Sequence, residues 1–216
     1  MSTFAAGTEA VRARSTAAIL GQVLFLVSVA LGFAVAGTFL GRELSEGAAR
    51  ACSFAGLGML IVTWFVDAVR RGPLGIGWLC GLSLLIGLGL GPVIGYLTEV
   101  NPGAITTAAG LTALTVLGMA AAGFVFDKDT RGFMKPLSFM LLGAVAISLI
   151  GLAFGGLGAL SPVLSIAIIA ISAALIFVDF NYVRKHATED DVVWLATGIF
   201  VSILNIFVSF LGSTGD

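Results

Sequence analysis

Of 216 residues, 58% are hydrophobic and only 11% are charged, with a mean hydropathy of +1.09, whereas a soluble domain carries about 25% charged residues. That leaves too little polar side chain to coat a globule, so the chain reads as an all-α, polytopic integral membrane protein. A net charge of −1 with no basic face excludes a nucleic-acid binder.

Runs of about twenty apolar residues read as membrane helices. Seven follow a short tail at 1–16: 17–40, 49–69, 74–97, 103–126, 136–158, 162–183 and 192–211, with 213–216 as a C-terminal tail. The N-terminal MSTFAAGTEAVRARSTAAIL has two arginines but no short h-region ahead of a small-residue cleavage site, so it reads as the retained first span. Its arginines and serines also fit organellar targeting, against which Glu9 counts. The charged stretch Gly41 to Glu46 closes the first run, and Arg70, Arg71 and Pro73 close the second. Asn101-Pro102 separates the third run from the fourth, because proline removes a donor and restricts its predecessor. DKDTRG at 127–132 divides the fourth from the fifth. Gly155, Gly156, Gly158 and Ser161-Pro162 divide the fifth from the sixth without charge, which implies a short hairpin.

Orientation follows from Lys and Arg in the short loops. Nine of the eleven (Arg12, Arg14, Arg70, Arg71, Lys128, Arg131, Lys135, Arg184 and Lys185) fall on one side, leaving Arg42 and Arg50 on the other. The bias puts the N-terminus in the cytoplasm and, with seven spans, the C-terminus outside; a re-entrant last run would return it inside. A bacterial cytoplasmic (inner) membrane and a mitochondrial-type inner membrane both fit this bias. The 29 glycines let helices approach closely, and Pro92 predicts a kink in the third run.

Asp179 stands near the end of the sixth run, and an acid held in a bilayer is a functional-site hypothesis by default. Ser165, Ser172 and Asp179 recur every seven residues, on one helical stripe that ends about a turn inside the cytoplasmic boundary. One reading is a carboxylate facing the bundle interior and responding to protons or cations. The other is an interfacial acid paired with Arg184 or Lys185. In the last run, Gly198, Ser202, Asn205, Ser209 and Gly212 form one small, polar face, fit for interhelical hydrogen bonds or for lining a polar path. Asp67 reads as a local partner of Arg70 and Arg71, which would reach Asp179 only if the second and sixth helices touch.

DKDTRG starts like a calcium loop, but Arg131 and Ser138 stand where ligands are needed, so it reads as a solvated turn. Thr188 is the expected N-cap of the last helix, with Asp191 at N3, where a capping box prefers Glu or Gln. Cys52 and Cys80 read as free thiols within apolar runs, and with the single His186 they leave no ligand set for zinc, haem or another cofactor. No nucleophile–base pair points to an enzyme.

The stretch FVDFNYVRKHATEDDVVWLATGIFVSILNIFVSFLG resembles the C-terminal signature of the Bax inhibitor (transmembrane Bax inhibitor motif) family, especially its bacterial calcium-leak members. SFAGLGMLIVTWFVDAVRR and DKDTRGFMKPLSFMLLG extend the resemblance from about Ser53 to Gly212. It implies a seven-helix bundle around a central last helix and a pH-sensitive calcium leak. In that mechanism aspartates on the sixth and seventh helices share a proton, and an arginine on the second helix is the alternate partner. Asp179 matches the first aspartate, while IFVSILNIF puts Ser202 at the second, and Arg70 or Arg71 lies near the arginine position. A serine cannot raise a neighbour's pKa by like-charge repulsion. The expected site is therefore one carboxylate, Asp179, open to a proton or a transient Ca2+ contact, with Ser202 and Asn205 as neutral ligands. Some bacterial relatives modulate a membrane AAA protease. A non-transporting regulator, or a subunit of a larger membrane complex, is the alternative expectation.

Overall fold

The computed structural model describes residues 2–154 and 160–214. Seven α-helices are joined by short turns: α1 (Ser2–Leu40), α2 (Glu46–Phe65), α3 (Gly72–Val100), α4 (Pro102–Val125), α5 (Met134–Ala153), α6 (Leu160–Lys185) and α7 (Val192–Thr214). Each is long and apolar enough to cross a membrane. Side chains such as Phe65, Leu114 and Phe154 are 80%, 71% and 86% exposed, the outward apolar belt expected of a bundle dissolved in lipid.

Local chemistry sets several boundaries. Ser45 Oγ accepts from Ala48 N at 3.3 Å and caps α2. Asn101 Oδ1 accepts from Ala104 N at 3.2 Å and caps α4, with Pro102 in its first turn. A 3-10 turn (Glu189–Asp191) leads into α7, and there Asp191 Oδ2 accepts from both the backbone N–H of Thr188 (2.9 Å) and its hydroxyl (2.8 Å). The shorter acid thus does the work of Glu in the box.

Three boundaries differ from the hydropathy reading. Helix begins at Ser2, well before residue 17, since Ala5, Ala6, Glu9, Ala10, Arg12 and Arg14 favour helix and nothing breaks it. The second span ends at Phe65: Val66 is extended (φ −117°, ψ 102°), and Asp67–Arg70 is a 3-10 turn. Gly72 then takes φ +61°, a left-handed backbone conformation that only glycine adopts without strain, although the space around it is open. Third, Ser161 and Pro162 lie inside the first turn of α6. The glycine link at Gly155, Gly156 and Gly158 lies outside the described residues.

α7 is central, with 61% of its most apolar stretch buried, against 11–39% for the other six. Leu195, Ile199, Phe200 and Ile206 of α7 pack with Val23 of α1 and Ile176 and Val183 of α6. α1 lies along α3 through two small-residue pairs, Gly37 and Gly41 against Gly87 and Gly91. A Cβ on Gly87 would enter the Ala34 carbonyl. Pro92 sits within α3 and leaves the Leu88 carbonyl without its usual donor. That oxygen faces Gly41.

Candidate functional site: a buried carboxylate beside the central helix

Asp179 is only 5% exposed, on the penultimate turns of α6. It lines a cavity of about 90 Å³ bounded by α2, α5, α6 and α7, enough for several waters. Its Oδ2 lies 3.5 Å from where a Cβ on Gly198 would stand, so glycine on α7 leaves the carboxylate uncovered. Among the described residues, no hydrogen bond or ion pair reaches that carboxylate.

The other polar groups around the cavity divide cleanly. Thr63, Ser138 and Thr197 donate to the carbonyls of Met59, Met134 and Val193, each at 2.8 Å, within their own helices. Ser202 Oγ and Asn205 Nδ2 are buried with no partner among the described residues. An unmet buried polar group costs about 1–3 kcal/mol, and here a carboxylate acceptor, a hydroxyl and an amide N–H donor face one cavity that has room for water. Ser172 Oγ is also buried and unpartnered, but it lines neither this cavity nor its neighbour. A second cavity, of about 290 Å³, shares Leu60, Val145, Val201 and Asn205 with the first, and Ser53, Ser148, Ser165 and Ser209 line it. All five residues of the predicted polar face, Gly198 to Gly212, border one cavity or both. At 1.5 Å per residue they run about 21 Å along α7.

The two arginines do not join this site. Arg70 Nε donates to the Thr63 carbonyl at 2.5 Å, a second guanidinium nitrogen bonds the Trp64 carbonyl, and a third pairs with Asp67 at 3.1 Å. The early end of α2 frees those carbonyls, and Arg70 satisfies them. Arg71 lies 3.9 Å from Asp190. Nor does Asp179 pair with Arg184 or Lys185. Arg184 donates to the Phe126 carbonyl (2.8 Å) and Asp127 (3.2 Å), and Lys185 bonds the Asp127 carbonyl.

Sequence reasoning passed over Asn181, which is fully buried two residues beyond Asp179. Its Oδ1 accepts from Thr130 N (3.2 Å) and Thr130 Oγ1 (3.0 Å), and its Nδ2 donates to the Gly123 (3.2 Å) and Phe126 (2.8 Å) carbonyls. One amide thus ties the end of α4 and the following loop to α6. The signal in sequence was only an amide in the last turns of a span. The DKDTRG turn is accordingly anchored. Arg131 N donates to Asp129 Oδ1 at 3.0 Å and His186 Nε2 sits 2.9 Å from Oδ2. Chiefly through the Arg131 N–H, and then through His186, these contacts hold the Asp129 carboxyl below the usual range. Arg71–Asp190 and His186–Asp129 gather three turns at one end of the bundle.

The sequence model described as inhibitor of apoptosis-promoting Bax1 matches residues 16–215. The chain belongs to the Bax inhibitor family. Among bacterial family relatives, the modulator of FtsH protease YccA of Escherichia coli is 29% identical over 208 residues, covering 93% of this chain and 91% of that one. A Vibrio cholerae protein described as an uncharacterized membrane protein is 25% identical, over 94% and 92% of the two chains. The Pseudomonas aeruginosa protein PA2604 is 30% identical over 148 residues, a match that spans 66% of this chain and 64% of that relative. Among the described residues no group of three His, Cys, Asp or Glu gathers to hold a metal.

Proposed function

We propose that this multi-pass protein of the bacterial inner membrane carries a cation-binding path along α7, controlled by the single carboxylate of Asp179. In this reading the ion-paired turns face the cytoplasm, in keeping with nine of the eleven basic residues lying on that side. The observation that carries it is the unpartnered Asp179, opening onto a cavity that also holds the unmet hydroxyl of Ser202. Calcium is the first cargo to test. With one acid in place of two, the path responds to pH through Asp179 alone and not through a shared proton. Purified protein in liposomes is expected to pass Ca2+, and Asp179→Asn to change the flux or its pH dependence. Inert liposomes at every pH from about 5 to 8 would remove this reading.

The near full-length match to a modulator of FtsH protease favours a second reading, a regulator that binds a membrane AAA protease and moves no ion. It is supported if an FtsH-type protease co-purifies stoichiometrically in mild detergent while the liposomes stay silent. Loss of that protease at modest salt would count against it.

A further inference from the structure

Across Leu90 and Leu204 from the second cavity, a groove of about 760 Å³ opens between α1 and α4, floored by Leu90 and Ile94 of α3 and Ile203 and Phe207 of α7. We propose that it binds one anionic glycerophospholipid of the surrounding bilayer, with an acyl chain along the groove and the phosphate on Arg42.

The walls suit a chain. Three hydroxyls border the groove, and each donates to its own helix: Thr38 to Ala34 (2.9 Å), Thr98 to Ile94 (2.6 Å) and Thr112 to Ala108 (2.7 Å). With those donors turned inward, the groove presents methyl and methylene surface. Along α1 it runs from Leu31 to Arg42, roughly 16 Å at 1.5 Å per residue, or about half of a 30 Å hydrocarbon core. It is one leaflet deep.

The mouth suits an anion. Arg42 is exposed at the end of the bundle opposite the ion-paired turns, with its stem against Gly95, where a Cβ would stand 3.5 Å from Cγ. Its guanidinium lies 4.1 Å over the Phe39 ring, and among the described residues no carboxylate pairs with it. Arg50, the other basic residue on this side, is held by Glu46 at 3.0 Å. One arginine at the headgroup level of a lipid-facing groove, free to accept a phosphate, selects an anionic lipid over a zwitterionic one.

The test is native mass spectrometry of the whole protein in mild detergent, titrated with phosphatidylglycerol or with phosphatidylcholine. The wild type is expected to retain one phosphatidylglycerol preferentially. Arg42→Gln should weaken that retention about fivefold, the effect of one basic side chain near a lipid headgroup, while Arg50→Gln should not. Ala109→Trp, at an exposed position within the groove, should abolish retention of both lipids. The thermal midpoint in lipid-free detergent, unchanged by Arg42→Gln, keeps folding apart from binding. Equal retention of both lipids by the wild type would overturn the proposal, as would an Arg42→Gln protein that behaves like Arg50→Gln. A dimer that Ala109→Trp dissociates would also overturn it, since a second copy would then fill the groove.

Discussion

Replacing Asn181 with alanine removes four hydrogen bonds at once: two from Thr130 and two to the Gly123 and Phe126 carbonyls. Phe126 keeps Arg184 as a donor, but Thr130 is itself buried and its amide and hydroxyl lose their acceptor. At about 1 kcal/mol net per bond, the loss is roughly 3–4 kcal/mol, or about 6–16 °C in melting temperature for a chain of this size. The assay is thermal unfolding in detergent, paired with hydrogen exchange at the Thr130 amide, which should lose protection before the helices do. Asn181→Asp keeps the Thr130 bonds but turns a carboxylate toward two carbonyls, so it should be no more stable than Asn181→Ala. A shift below about 2 °C with Thr130 still protected would show that the amide does not hold the α4–α5 turn to α6.

Gly87→Ala drives a Cβ into the Ala34 backbone, which should cost about 1–3 kcal/mol by overpacking. Gly110→Ala meets nothing within 4 Å and should be neutral or gain up to about 1 kcal/mol; equal melting temperatures would refute close α1–α3 packing. Gly198→Ala places a methyl 3.5 Å from Asp179 Oδ2, an ordinary contact. It should leave the melting temperature unchanged while reducing liposomal Ca2+ flux, and undiminished flux would mean that the α7 side of the carboxylate is unused. Asp129 is held below its ordinary value, so its contribution is present above the unfolded value and disappears as pH falls through the lower folded one. In a His186→Gln background the Arg131 N–H bond remains. Proteolysis of the 127–131 turn should then be flat from pH 8 to 5 and rise only below about pH 4; a rise near neutrality would refute that origin.

Much of the fold was legible because lipid imposes simple demands: seven apolar runs give seven helices, and the polar face from Gly198 to Gly212 follows from helical spacing alone. For Asp179 the sequence left two readings open, a bundle-facing acid and an interfacial partner of Arg184 or Lys185, because only the packing of α6 decides which way it turns. What escaped depends on partners far apart in the chain. Asn181 meets Gly123, Phe126 and Thr130 across 51 to 58 residues, and no local pattern announces such a meeting. The resemblance put Arg70 or Arg71 near the site, but whether Arg70 turned to Asp179 or to its own helix end depended on where α2 stopped. Val66 decided that by going extended, a choice hydropathy does not record. The Ser165–Ser172–Asp179 stripe was right as helical geometry, yet Ser172 faces neither cavity, because neighbouring helices and not spacing decide which part of a stripe is lined by space.

α2 and α5 touch only along a narrow seam beside the Asp179 cavity, and there Trp64 lies against Phe139 with ring centroids 4.5 Å apart. Such a pair contributes about 0.5–1.5 kcal/mol beyond its buried area, far less than unwinding a turn of helix inside a bilayer. α2 ends at the extended Val66, and Arg70 ties the turn that follows back to the Thr63 and Trp64 carbonyls. One wall of the Asp179 cavity thus rests on a ring pair whose outer member, Phe139, is exposed to lipid. Shortening Trp64 would therefore enlarge the carboxylate's cavity from its α2 side without touching α6 or α7.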